Sequence, residues 1–159
     1  MPTPSEKAQM LLDNGLAHGL AATVLFTASY DYGRNIGVED EELETFVFNG
    51  TCSLSVHYLV GLGLELLLKA AYIASGGDAD DDHLRSKIGH DLEKALNRAR
   101  QVGFESSSEH LEELVGYMNE PYKHHHLRYG RPDGMNLPDN MAQVTAVFET
   151  LSQEVQAKL

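Results

Sequence analysis

The chain has 159 residues, 24 of them acidic and 12 basic, for a formal net charge of −12, and 42% of its residues are hydrophobic. That length suits one domain spanning residues 1–159, and the apolar fraction supports a packed core and excludes global disorder. The acidic balance excludes non-specific duplex DNA as a partner, and the single cysteine, Cys52, excludes an intrachain disulfide framework and a cysteine-based zinc ribbon.

The first eight residues lack the apolar core of a secretory leader. The longest apolar run, Val56 to Leu68, is interrupted by His57 and Glu65. No membrane span is expected, and the cytoplasm is the expected compartment.

From Ser5 to about Ala28, apolar residues recur at Ala8, Leu11, Leu12, Leu16, Leu20, Val24, Leu25 and Ala28, the spacing of an amphipathic helix. Ser5 is its expected N-cap. Asp31 to Asn49 reads as an acidic connector, with a possible strand at Thr45–Phe48 ahead of the Asn49-Gly50 turn. Thr51 to Ser75 is apolar nearly all round and is expected to be the buried central helix, ended by Gly76-Gly77. Gly61, Gly63, Ala70 and Ala71 on it let neighbouring helices approach closely.

A shorter helix is expected over Asp91–Val102. Another follows, capped by Ser107, with Leu111, Leu114, Val115 and Met118 inward and Pro121 as its stop. Tyr122 to Pro138 reads as irregular. Asp139 then caps a last helix reaching about Lys158. The pattern predicts an all-α bundle of about five helices.

Three segments carry candidate chemistry. On the central helix, His57, Gly61, Glu65, Lys69 and Tyr72 recur every three or four residues as a polar seam, with Glu65 placed to pair with Lys69. Buried charges are costly unless paired, so the seam is either an internal ion-pair network or the wall of a cleft. The second segment is Arg85-Ser86-Lys87-Ile88-Gly89-His90-Asp91. It is either a simple helix cap or a site in which His90 serves as acid and base and Arg85 holds phosphate.

The third, Tyr122 to Arg131, concentrates basic residues in an acidic chain. Its His124 and His126 could share one side of an extended loop and so approach a metal, while a phosphate or acidic partner is the other reading. Asp78–Asp82 starts like a calcium loop but has His83 where glycine is required and Gly89 where the bidentate glutamate belongs. Cys52, Ser53 and Ser55 lack the context of a nucleophile elbow, and Gly61-Leu62-Gly63 lacks the lysine sequel of a phosphate loop.

The order of three motifs resembles the HEPN superfamily of small bacterial helical bundles. They are Glu65-x-x-x-Lys69-Ala70 in the central helix, His90-Asp91-Leu92 at a helix start, and the late pair Arg128-Tyr129. The match spans roughly residues 50 to 130. The resemblance implies an up-and-down bundle, a homodimer, and activities from nucleotide binding to metal-independent RNA cleavage, with no cofactor. It also implies, in some members, a small nucleotidyltransferase partner in toxin–antitoxin pairing.

Active members carry Arg, four to six residues, then His. Here Arg85 and His90 have that spacing, although they precede the third helix rather than standing late in the bundle. On this basis Arg85 and His90 are the candidate catalytic pair. Lys69, Arg128 and Arg131 are candidate phosphate ligands, and Glu65, Asp91 and Tyr129 form the supporting set; no metal ligands are assigned. Two other classes stay open. One is a non-catalytic interaction module with a structural Glu/Lys/His/Arg network, and the other is a metal-dependent helical-bundle hydrolase using His57, Glu65 and His124–His126.

Overall fold

A computed structural model describes residues 2–129 and 140–159 of the chain. The described residues are helical, with no strand among them. In chain order the helices are α1 (Pro4–Asn35), α2 (Leu43–Asn49), α3 (Ser53–Ala74), α4 (Asp81–His83), α5 (Leu92–Gln101), α6 (Leu111–Lys123), α7 (His126–Tyr129) and α8 (Met141–Gln156). The expectations for Arg131 as a phosphate ligand and Asp139 as a cap lie outside the described residues.

Helix α1 is capped two residues earlier than expected, at Thr3 rather than Ser5. Thr3 caps it: its hydroxyl accepts from the Glu6 backbone N–H, and the Glu6 carboxylate accepts from the Thr3 N–H at 2.7 Å. Pro4 fits the first helical position because its missing N–H would be unpaired there anyway. The helix also runs past Ala28 to Asn35. Gly33 is buried in its last turn, where an added Cβ would lie 2.7 Å from the Phe46 ring. That glycine serves close packing rather than a loop.

The expected strand at 45–48 is instead part of α2. A single strand would leave its backbone groups unpaired, whereas a helix pairs them internally and places Leu43 and Val47 on one buried face. Helix α6 has no side-chain cap; Ser107 instead donates from its N–H and hydroxyl to Glu154 on α8. Pro121 does not stop α6, which continues to Lys123. The proline removes one donor, for the Tyr117 carbonyl, within the final turns of a helix whose Tyr117 lies at the surface.

Helix α3 packs against α1, α2, α5, α6, α7 and α8 and forms the centre of the core. By length and composition it could cross a membrane, but most of its apolar surface is covered by the other helices. Its closest neighbour is α1. A Cβ on Gly15 would lie 3.0 Å from the Gly63 carbonyl oxygen, and one on Gly63 would lie 2.9 Å from that of Gly15. The Phe148 ring of α8 fills the space left at Gly19 and Gly63.

Candidate functional site

Glu65 lies on the buried side of α3 with 4% of its surface exposed. Burial pushes its carboxyl pKa up, but the Lys69 ammonium and hydrogen bonds from Lys69, Tyr122 and His90 outweigh that and hold it below the ordinary carboxylate value. Lys69 Nζ is 2.5 Å from Oε1. Tyr122 donates its hydroxyl to Oε2 at 2.6 Å, and His90 Nδ1 is 3.0 Å from the same oxygen. The three donors come from α3, α6 and the turn before α5, so one carboxylate ties three parts of the chain.

Two glycines make this geometry possible. Gly61, one turn before Glu65, lies under the Tyr122 ring; an added Cβ would sit 2.5 Å from Tyr122 Cδ2. Gly89 ends the π-helical segment Leu84–Ile88 with φ 64° and ψ −132°, a conformation effectively reserved for glycine, and turns the chain so that His90 meets Glu65.

His90 differs from Glu65 in exposure: its side chain is 54% exposed against 5%. An ionised carboxylate only accepts, so the bond to Glu65 places the proton on Nδ1 and leaves the neutral ring's lone pair on Nε2. His90 lines a cleft of about 450 Å³ together with Lys7, Lys69, Arg85, Leu66 and Met10. Lys7 is nearly buried and donates to the Ala79 carbonyl and the Asp81 carboxylate. Arg85 pairs with Asp82 at 2.6 Å, with both side chains 81% exposed. An exposed pair of this kind contributes roughly 0–1 kcal/mol, so its guanidinium can be drawn to an anion at little cost.

Several sequence-derived candidates lie elsewhere. Asp91 caps α5, accepting from the Lys94 N–H, and lies 3.7 Å from Lys123 Nζ. Arg128 stacks on the Tyr58 ring at 5.3 Å and donates to the Tyr58 hydroxyl, and does not line the His90 cleft. Tyr129 is 87% exposed. The polar seam of α3 also divides. Tyr72 stacks on His83 with their rings 6.2 Å apart, and buried His57 contacts the Ser53 carbonyl and the Phe48 ring.

The His124 and His126 rings do share a side, with centroids 5.8 Å apart. Among the described residues, however, no three His, Cys, Asp or Glu side chains converge as metal donors. His125 has φ 59°, and its ring lies edge-on to His90 at 5.7 Å. Burial, then Arg128 and His90, holds its pKa below the ordinary histidine value.

Sequence reasoning overlooked Tyr122 and Lys7 as members of this region. Tyr122 had a signal: it continues the inward series Leu111, Leu114, Val115 and Met118, and a buried tyrosine hydroxyl requires a partner. Lys7 had none, because its partners are about seventy residues away. Asn119 was also missed; its Oδ1 accepts from the Leu92 N–H at 2.8 Å, so α6 caps α5.

Comparison with protein-family models, with curated proteins and with solved structures finds no match to this chain.

Proposed function

We propose that the cleft binds the phosphate of a nucleotide or RNA, and that His90 acts there as acid and base in metal-independent RNA cleavage. The observation that carries this reading is the Glu65–His90 pair: a half-exposed imidazole held by a buried carboxylate, in a cleft shared with Lys69 and Arg85. The carboxylate fixes the tautomer and stabilises the imidazolium that forms when Nε2 takes a proton. The Arg85-to-His90 spacing and the order of the motifs, resembling HEPN bundles, support the same reading, including an up-and-down topology and a homodimer.

In this reading His90 takes the proton of the RNA 2′-hydroxyl. O2′ attacks phosphorus, the bond from phosphorus to the 5′ oxygen breaks, and the imidazolium returns a proton to that departing oxygen. The products are a 2′,3′-cyclic phosphate and a 5′-hydroxyl. Arg85 stabilises the phosphoryl charge, and Lys69 serves both Glu65 and the cleft.

The decisive experiment incubates the full chain with a labelled single-stranded oligoribonucleotide in the presence of a chelator. Cleavage should fall by about 10²-fold or more in His90→Ala while the circular dichroism spectrum is retained. Arg85→Ala should weaken cleavage with no change in stability. Intact RNA with the wild-type chain overturns the cleavage step. Absence of any histidine chemical-shift change on titration with inorganic phosphate or a mononucleotide overturns binding at the cleft.

A second reading has its own observation: Glu65 accepts from three separate elements, as a structural polar network would. A lowered melting temperature in His90→Ala, with uncut RNA from the wild type, selects that reading.

A further inference from the structure

On the outer side of α1, Asp13, Ala17, Leu20, Val24, Thr27 and Asp31 are all exposed. They follow one another at intervals of four, three, four, three and four residues, the spacing of a coiled-coil seam. Leu20 is 66% exposed and Val24 61%, unusual for large apolar residues on consecutive turns. Between Asp13 and Asp31 the sequence has no Lys, Arg, Asp or Glu. The two acids are five helical turns apart, about 27 Å, and lie on the same face of the helix.

Alongside the first half of this seam, α1 and α8 enclose a groove of about 440 Å³. Leu16, Leu20, Val144 and Phe148 line it, and its lining carboxylates are Asp13 and Glu149. Among the described residues, no Lys or Arg lines the groove.

We propose that this seam docks an amphipathic α-helix of a partner protein, with apolar residues at heptad spacing and a Lys or Arg near each end. Charge selects this occupant over a second copy of the chain. In-register antiparallel pairing of two seams sets Leu20 against Val24 and Ala17 against Thr27, which also sets Asp13 against Asp31 at both ends. Parallel pairing sets each aspartate against its own copy. Either arrangement opposes like charges at the seam ends of a chain that already carries a net −12. A partner with cations about eighteen residues apart meets both acids with opposite charge, and its apolar residues cover Leu20 and Val24.

The test uses the full chain and two synthetic helical peptides of about three heptads with the same leucine seam, one ending in Lys at both ends and the other in Glu. In fluorescence anisotropy at low salt the Lys peptide should bind about tenfold or more tighter than the Glu peptide. Asp13→Lys combined with Asp31→Lys should reverse that order. Leu20→Asp should abolish binding of the Lys peptide, and because Leu20 is exposed, its circular dichroism spectrum should be unchanged. Three results would overturn the proposal: no binding of the Lys peptide up to about 1 mM, equal binding of both peptides, or a light-scattering dimer that Leu20→Asp dissociates.

Discussion

Glu65 on α3 is 4% exposed, while Leu20 on the neighbouring α1 is 66% exposed. The two helices pack together, yet one holds a carboxylate inside the bundle and the other holds a leucine outside it. The carboxylate is met by an ammonium, a phenol and an imidazole. The leucine lies in a groove that the described residues line without filling. A charge inside depends on its partners within the chain, so removing one partner strands the others. An apolar residue outside supports nothing within the chain, so its removal changes what the surface can bind. The two positions should therefore respond to substitution in different measurements.

The largest effect is expected at the carboxylate. Glu65→Ala strands the Lys69 ammonium in a buried position and should cost about 3–5 kcal/mol in chemical denaturation. A loss below about 1 kcal/mol would show that water reaches the network and would erase the contrast with α1.

Tyr122→Phe comes next. It removes one hydrogen bond to an ionised acceptor while keeping the ring over Gly61, and a loss of about 1.5–3 kcal/mol is expected by denaturation. The pKa of the tyrosine hydroxyl is raised by burial and by the Glu65 charge, so it remains a donor throughout the stable range.

A third, smaller effect depends on pH. The folded Glu65 carboxyl titrates below its ordinary value, so the stability it contributes is complete above the ordinary carboxylate range and is lost as pH falls through the lower folded value. The stability gap between the wild type and Glu65→Gln should shrink as pH falls below about 4. A gap that widens on acidification would reverse the assigned sign.

The smallest effect is expected on α1. Leu20→Ser should change stability by no more than about 0.5 kcal/mol in the same denaturation assay. A larger loss would mean that the leucine supports the fold and that the groove is part of the core.

Much of this contrast was legible in the sequence. The nearly all-round apolar character of Thr51–Ser75 marked a central helix, and an acid four residues before a lysine on it marked a paired seam. The inward positions of α6, Leu111, Leu114, Val115 and Met118, followed from helical periodicity. Other features depended on contacts between distant segments. The start of α1 at Thr3 was readable from Thr-x-x-Glu, but Ser5 offered a competing cap. The helical state of residues 43–49 was hidden because Phe46, Val47 and Phe48 favour strands locally, while no other described segment offers a pairing edge. His90 was legible as a candidate, but its bond to Glu65 depends on the turn at Gly89. The α1 seam was present in the sequence as an uncharged run, yet only the fold shows that its apolar residues lie outside.

The Asn119 cap has a dynamic consequence. The first turn of α5 takes a side-chain acceptor from α6: Asn119 Oδ1 accepts from the Leu92 N–H and, at 3.4 Å, from the Glu93 N–H. Fraying of that first turn must therefore break a hydrogen bond to another helix, the one that also carries Tyr122. Deuterium uptake at Leu92 therefore reports the separation of the first turn of α5 from Asn119 on α6.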